Sequence, residues 1–531
     1  MSSAADVAPA ASQRQTPPRS ALVLLALVTG AIVANINLSV ANVALPTIGA
    51  DLGATQDQLT SIANAFALGL ASSVLYLGTI GDRYGRKLLF VIGGFLTIPT
   101  SMMAAWAPTP ELLTLARFFG GFAAALIFPT TLSLISALYR GKAKVSAIAL
   151  WSGLGGGVAA LGPLIGGWLL QSFWWGSVFL ITLPLVALAL VVGWIVLPWH
   201  ASEETFEVDH LGGVLSVIGV GGLVLTIEKA DDGITPRWLA YLTVSVVALA
   251  AFFWRQTKAP RPLVSLPLAK ARTFWVAFVA GSITFGSLIG AMFIGQQFTQ
   301  NVLGYDTLTA AAVVLPAAVC TALFGQLAGR IITAKGSQVS FMLGLGSVAA
   351  AFTVMLVTWV DGASMGWVLL GYGLVGTGVG LAATPASRSL MSSVPPTRGG
   401  MGSAFLDLTR DFGGAILQAI MGGVLAAAYA RQMNADLSSL SPAQAAQVSS
   451  DAAQQMTGSF EGAAEVAKSY PSAAADQIVH AASVAFTDGK TLAIGVALLM
   501  TLIGLVLVLV VYPRRDAEEA YYVSVQSMKT S

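Results

Sequence analysis

Three charged residues lie close together in a segment that is otherwise apolar or small, GSAFLDLTRDFGGAILQ at 402–418. They are Asp407, Arg410 and Asp411. Spacings of three and four residues place all of them on one arc of a helix. If every group were ionised, the triad would carry one net negative charge, so one carboxylate can pair with Arg410 while the other binds and releases a proton. The alternative is a static, buried ion-pair cluster with a structural role.

The composition of the chain indicates what surrounds this triad. The chain has 531 residues, of which 56% are hydrophobic and 10% charged, and its mean hydropathy is +0.77. These values lie far outside the range of soluble domains, so the chain is predicted to be an integral membrane protein. The triad begins nine residues after Arg398, which at about 1.5 Å per residue puts it roughly 13–20 Å into the bilayer.

Apolar windows of the length that crosses a bilayer, about 20 residues of helix, occur fourteen times. Lys and Arg concentrate in the loops at one end of these windows, which predicts a multi-pass protein of the plasma (cytoplasmic) membrane with both termini cytoplasmic. The windows are 20–45, 58–80, 88–106, 111–138, 145–170, 175–198, 211–229, 237–254, 273–299, 307–332, 338–358, 364–391, 400–427 and 489–512.

An internal echo suggests how the windows are grouped. GTIGDRYGRK (78–87) follows the second window, and a degenerate copy, GQLAGRIITAKG (325–336), follows the tenth. Repeats of this kind predict two six-helix bundles with an inserted pair of helices between them. The expected organisation is a disordered cytoplasmic tail at 1–19, an N-terminal bundle at 20–198, inserted helices at 211–254, a C-terminal bundle at 273–512 and a cytoplasmic tail at 513–531.

The segment 428–488, before the last window, is predicted to be an extracytoplasmic helical hairpin. Ser441 followed by Pro442 is typical of a helix start, and a second helix is expected at 472–486. A disordered loop is the alternative.

Two motifs resemble those of the major facilitator superfamily. GTIGDRYGRK is similar to its G-x-L-a-D-R-x-G-R-[RK] signature, and GLGGGVAALGPLIGG (153–167) resembles the G-x(8)-G-P-x-x-G-G motif of antiporter-type members. The resemblance implies the all-α major facilitator fold with 14 transmembrane helices, and a transporter rather than an enzyme. It also implies a conformational latch at Gly78, Asp82, Arg83, Gly85 and Arg86, and a helix bend at Gly162, Pro163, Gly166 and Gly167.

NLSVANVALP (37–46) resembles the first-helix motif D-x-T-[IV]-V-N-V-A-L-P of the 14-helix drug/proton antiporter branch. Asn37 stands in place of the aspartate of that motif and cannot titrate, which leaves Asp407 and Asp411 as the nearest candidates for proton coupling. Arg117 stands at the position of the R-x-x-Q-G motif of the superfamily. We expect a substrate cavity between the bundles lined by Asn35, Asn37, Asn42, Arg117 and Trp151.

Three functions fit these features. The leading hypothesis is a proton-coupled exporter of lipophilic small molecules such as drugs, biocides and dyes. It would work by alternating access, with membrane lipids around it. The second is an exporter or flippase of lipids or envelope lipid precursors, with an extracytoplasmic partner at 428–488. The third is a non-transporting membrane receptor or scaffold built on a transporter fold.

Other classes of function find no support in the sequence. A net charge of +2 gives no basis for nucleic-acid binding. The three histidines, His200, His210 and His480, lie too far apart in sequence to suggest a metal site. GYGLVG (371–376) fits a dinucleotide-binding pattern but lies inside an apolar window with no preceding strand, so no cofactor is expected.

Overall fold

The computed structural model describes residues 16–54, 56–199, 207–228, 235–260, 262–441 and 448–527, and within these ranges every regular element is helical. A π-helical turn at Phe298–Val302 and a 3₁₀ turn at Pro396–Arg398 complete the set. The α-helices are α1 (Ser20–Ser39), α2 (Ala41–Leu52), α3 (Gln56–Tyr84), α4 (Arg86–Ala105), α5 (Pro110–Leu138), α6 (Gly141–Ser172), α7 (Ser177–Leu180), α8 (Thr182–Val196), α9 (His210–Glu228), α10 (Pro236–Gln256), α11 (Leu266–Ala269), α12 (Arg272–Gln297), α13 (Thr307–Ala312), α14 (Leu315–Lys335), α15 (Ser337–Thr358), α16 (Met365–Ser392), α17 (Gly399–Ser438), α18 (Ser450–Gly458), α19 (Phe460–Ala467), α20 (Ser472–Val511) and α21 (Arg515–Ser527).

The helices reproduce the predicted crossings. Thirteen described segments are long and apolar enough to span a membrane, and the 32-residue helix α6 fills the remaining predicted window. Exposed tryptophans mark two levels, as is typical of the two membrane–water interfaces. Those near one level are Trp106, Trp168 and Trp174, and those near the other are Trp194, Trp199 and Trp254.

The first predicted crossing is divided at one residue, Val40, which keeps helical backbone angles (φ −69°, ψ −30°) and donates its N–H to the carbonyl of Ile36 (2.9 Å). Helix α1 ends at Ser39 and α2 begins after Val40. Before this break, the side chain of Asn35 donates to the carbonyl of Ala31 (2.8 Å) and that of Asn37 to Val33 (3.2 Å). Such side-chain bonds compete with the helical ladder and explain why an asparagine-rich segment interrupts a helix.

Two bundles account for most of the packing. In the first, α1 packs against α5, α6 and α8, while α3 and α4 pack against α5; in the second, α12 packs against α16, α17 and α20, and α14 and α15 pack against α16. The bundles meet where α6 lies against α14 and where α17 lies against α3 and α5. The approach of α6 to α14 is close because a Cβ added to Gly325 would lie 3.1 Å from the Cα of Gly153.

The inserted pair, α9 and α10, is attached to the first bundle through α3. A Cβ on Gly213 would lie 2.2 Å from the ring of Tyr76, and Nδ1 of His210 is 2.7 Å from the Tyr76 hydroxyl. Asp209 pairs with Arg255 (2.6 Å), which joins the two inserted helices.

The last two crossings extend beyond the predicted windows. Helix α17 runs to Ser438 instead of ending near 427, and α20 begins at Ser472 instead of 489, because the two helices pack against each other over this additional length. The hydroxyl of Tyr429 donates to the carbonyls of Met456 and Ser459, both at 3.0 Å, which holds α18 and α19 on α17. The helix start expected at Ser441-Pro442 involves residues 442–447, which lie outside the described residues.

Candidate functional site

Helix α17 places the charged triad against the first bundle. A cavity of about 10 Å³ lies there between the bundles, which is room for about one water molecule. Its wall comes from α1, α3 and α5 on one side and α17 on the other. The lining residues are Ala34, Asn35, Leu70, Phe128, Asp407, Arg410 and Asp411.

Arg410 reaches across the interface to the first bundle. Its Nη2 donates a hydrogen bond to Oδ1 of Asn35. The guanidinium also lies 4.9 Å from the ring centroid of Phe128 and 5.6 Å from that of Phe285, distances at which cation–π attraction contributes. The side chain of Arg410 therefore links α17 to α1 and α5.

The two carboxylates of the triad have no such partners. Both oxygens of Asp407 and Oδ2 of Asp411 are buried without a hydrogen-bond partner among the described residues. We expected one carboxylate to pair with Arg410, but the guanidinium bonds to Asn35 instead. Because a buried, ionised carboxylate without a partner is costly, this arrangement fits carboxylic acids that hold their protons.

The other predicted cavity residues are divided between two places. Trp151 lies directly behind the cavity wall, where it packs on Phe128 (5.1 Å between centroids) and its Nε1 donates to Thr131 (2.9 Å). Arg117 lies away from the triad and donates to the backbone carbonyl of Asn37 (2.6 Å). The side chain of Asn42 is outside the described residues. Of the predicted lining residues, the structure thus brings Asn35 to the triad.

The latch residues meet the second bundle at its edge. The side that carries the turns at 85, 139–140 and 393–395 is here called the basic side. There Asp82 pairs with Arg86 (2.8 Å) and accepts the backbone N–H of Gly400 at 2.8 and 2.9 Å. Gly400 lies in the first turn of α17, where the helix dipole favours a carboxylate. This contact joins the two bundles on the basic side.

Glycines make that contact possible. A Cβ on Gly78 would lie 2.8 Å from the carbonyl oxygen of Gly400, closer than packed atoms allow. Gly85 has φ of +115°, which suits the turn between α3 and α4 and favours glycine. Arg83 lies outside the latch, over the ring of Tyr84 (5.2 Å).

Helix α6 carries the predicted bend motif. Gly162 is buried, and a Cβ on Gly166 would lie 3.2 Å from Val40, so the motif packs on the break between α1 and α2. The helix is continuous through 141–172. Gly167 is half-buried, and the side chain of Pro163 is outside the described residues.

A further charged cluster, absent from the sequence predictions, lies on the basic side of the second bundle. Arg388 in α16 pairs with Glu518 (3.3 Å) and with Glu519, both on α21. Glu518 is fully buried and also accepts the backbone N–H of Ser337 (3.0 Å) and the hydroxyl of Tyr522 (3.1 Å). Burial raises the pKa of Tyr522 well above its ordinary value. An arginine inside an apolar window was the available signal for this cluster.

Two helical bundles with buried charges at their interface define a secondary transporter of the membrane. The Major Facilitator Superfamily model matches residues 27–417, and the chain belongs to this superfamily. The predicted family and all-α membrane fold are thereby confirmed, and the protein is a transporter, not an enzyme.

Similar proteins indicate the branch. Multidrug efflux pump LfrA of Mycolicibacterium smegmatis is 31% identical over 90% of this chain and 93% of its own length. Multidrug resistance protein Stp of Mycobacterium tuberculosis is 30% identical over 76% of each chain. Methyl viologen resistance protein SmvA of Salmonella typhimurium is 28% identical over 92% of this chain and 98% of its own length. The chain therefore falls in the multidrug efflux branch of the superfamily.

Proposed function

We propose that the protein exports lipophilic small molecules, such as drugs, biocides and dyes, by alternating access, and that protons moving in the opposite direction drive this export. The observation that carries the proposal is a pair of carboxylates beside a cavity between the bundles: both oxygens of Asp407 and Oδ2 of Asp411 are buried without a hydrogen-bond partner among the described residues. The relatives named as multidrug efflux and resistance proteins support the class of cargo.

The orientation of the protein in the membrane follows from the charge of the loops. Lys and Arg are concentrated on the basic side, which is therefore assigned to the cytoplasm, together with both termini. The present arrangement, with Asp82 bonded to Gly400, is then a state closed to the cytoplasm. Loading of cargo from the cytoplasm requires that these bonds break.

The chemistry of the cavity favours neutral or amphipathic cargo. Asn35 and the aromatic side chains of Phe128 and Phe285 surround Arg410, and Trp151 packs behind Phe128. No fixed negative charge stands at Asn37, so a strong preference for dications is not expected. Aromatic faces and one amide suit flat, lipophilic molecules with few polar groups.

The proposal is tested by transport in proteoliposomes with an imposed pH gradient, a lumenal pH dye and a fluorescent lipophilic cargo. Asp407→Asn combined with Asp411→Asn removes both titratable groups, and we expect gradient-driven cargo flux to fall at least tenfold. Asp361→Asn is the control, because Asp361 is exposed in a loop on the other side. Undiminished gradient-driven flux in the double variant would exclude proton coupling through this site.

Lipid export is the second candidate. The helices α17 and α20 continue past the membrane and carry α18 and α19, a structure that suits docking of an extracytoplasmic partner. A fluorescent lipid in the same liposomes separates the two functions, since a lipid exporter moves the lipid and leaves the lipophilic cargo in place. A receptor or scaffold would move neither under any imposed gradient.

A further inference from the structure

We infer that Asn35 is the alternate partner of Arg410 in the transport cycle. Arg410 binds Asn35 across the bundles when Asp407 is protonated, and it turns back to the carboxylate of Asp407 when that proton leaves. Loss of the Asn35 contact then loosens the bundles. This inference rests on the proposed function and assigns a positioning role that the proton-coupling proposal does not contain.

The geometry of Asn35 suits it to receive the guanidinium. Its Nδ2 donates to the carbonyl of Ala31 at 2.8 Å, which fixes the amide and turns Oδ1 toward Arg410. Asn35 is 2% exposed, so its acceptor lies in a dry environment where a hydrogen bond is strong. The contact joins residues 375 positions apart, on helices from different bundles.

Asp407 is the natural competitor for the guanidinium. It lies three residues before Arg410 on the same helix face. Both of its oxygens are buried without a hydrogen-bond partner among the described residues, whereas for Asp411, which also lines the cavity, this holds for Oδ2. An ionised carboxylate forms an ion pair with the guanidinium and can accept two parallel N–H bonds from it, neither of which a neutral amide can do. A protonated Asp407 loses that advantage, so its protonation state decides which partner Arg410 takes.

Other charged groups on the helices around the triad are engaged elsewhere. The charged neighbours that act on Asp407 are Arg410 and Asp411, and α1 contains no charged residue between its bounds. Further charged or titratable groups on or beside the packed helices have contacts of their own, and they include Asp82, Arg117, Asp209, His210, Arg388 and Lys490. Arg272 stands at the first residue of α12.

The proton balance of the exchange is simple. Arg410 keeps its charge throughout. The proton that leaves Asp407 passes to a water molecule in the cavity beside it, which has room for about one. The carboxylate left behind accepts the guanidinium N–H bond that Asn35 gives up. No other bond forms or breaks.

The inference is tested by distances between the bundles. With Cys320→Ser as background, spin labels at Lys142 and Lys335 report the basic side by double electron–electron resonance, and labels at Thr47 and Asp361 report the other side; all four positions are exposed. In the wild type, acidification should shorten the Lys142–Lys335 distance and alkaline pH should lengthen it.

Variants of Asn35 should alter this response in opposite ways. Asn35→Asp offers Arg410 a permanent carboxylate, so the short distance should persist at alkaline pH and gradient-driven flux should fall at least tenfold. Asn35→Ala removes the acceptor, so the long distance should appear even at acidic pH. Asn35→Gln keeps an amide acceptor and should restore part of the pH response.

The control and the contrary outcome are distinct from those of the proposed function. Asn434→Asp makes the same chemical change at an exposed position and should respond to pH as the wild type does. If Asn35→Asp and Asn35→Ala also respond as the wild type does, the inference is wrong, even where the carboxylate double variant has lost its coupling. If the double variant keeps gradient-driven flux, the proposed coupling itself fails.

Discussion

Two buried carboxylates on the basic side, Asp82 in the first bundle and Glu518 after the last crossing, have the same kinds of partner. Each pairs with an arginine, Arg86 or Arg388. Each also accepts a backbone N–H in the first turn of a helix, from Gly400 in α17 for Asp82 and from the start of α15 for Glu518.

The two clusters differ in what they connect. Asp82 binds a helix of the opposite bundle, so its bonds must break whenever the basic side opens. Glu518 binds α15 and α16, which belong to one bundle, and its bonds survive any rigid-body movement of that bundle. The Asp82 cluster is therefore a contact that can open between the bundles, and the Glu518 cluster is a fixed contact within one bundle.

The internal repeat explains why the second acid comes from elsewhere in the chain. In GTIGDRYGRK the acid follows the first glycine by four residues, whereas in GQLAGRIITAKG that position is Gly329. The degenerate copy has lost the carboxylate that its counterpart uses. Helix α21 supplies one in the form of Glu518.

Asp82→Ala is expected to have the largest effect and tests whether the Asp82 cluster joins the bundles. This change removes the carboxylate that joins the bundles and deprives the buried Arg86 of its counter-charge, a loss that typically costs about 3–5 kcal/mol. Transport should fall at least tenfold, and the Lys142–Lys335 distance should lengthen at every pH. A normal distance in this variant would show that Asp82 does not hold the basic side closed.

Glu518→Ala should act mainly on stability. It removes one of the two carboxylates that pair with Arg388 and leaves the N–H of Ser337 without its acceptor, so the free energy of unfolding should fall by about 1.5–3 kcal/mol. Thermal unfolding in detergent measures this change. Glu519→Ala is the matched control with a smaller expected effect, because the side chain of Glu519 is 49% exposed. The pH response of the inter-bundle distance should persist in both variants.

Gly78→Ala tests the contact between the bundles at Gly400 by a steric change, with no change of charge. The new Cβ would lie 2.8 Å from the carbonyl oxygen of Gly400, so the closed basic side should lose population without loss of charge. Gly346→Ala is the control, since a Cβ there meets nothing within 4 Å. Alanine favours helix by about 1 kcal/mol over glycine at both positions. Equal distances in the two variants would contradict the close approach.

Tyr522→Phe should have the smallest effect. Removal of one hydroxyl bond to Glu518 should cost about 1 kcal/mol near neutral pH. Because burial raises the pKa of Tyr522, its protonated form adds stability below about pH 10, and that stability is lost as pH rises through the folded-state pKa. The variant should therefore lose less stability than the wild type above pH 10, as measured by thermal unfolding across pH.

Features that depend on local sequence were predictable. Apolar windows of sufficient length gave the crossings, and glycine and aspartate at fixed spacing gave the position of the latch. The shared face of Asp407 and Arg410, which line one cavity, followed from helix geometry.

Partners distant in sequence were not predictable. Asn35 and Arg410 are 375 residues apart, and Glu518 lies 130 residues beyond Arg388. Such contacts depend on how the bundles pack, and a single sequence carries no direct signal of that packing. The break at Val40 is a similar case, since an apolar window does not distinguish one helix from two.

Helix α17 carries both the proposed proton site and the residue that contacts Asp82. Gly400 and Asp407 are seven residues apart on α17, a span of about 10 Å at 1.5 Å per residue. Because an α-helix tilts as one rigid body, a displacement of α17 at Asp407, the proposed proton site, also moves Gly400 and its contact with Asp82. The signal would then need no relay of side chains. The size of the movement at Gly400 would be set by the point about which α17 tilts.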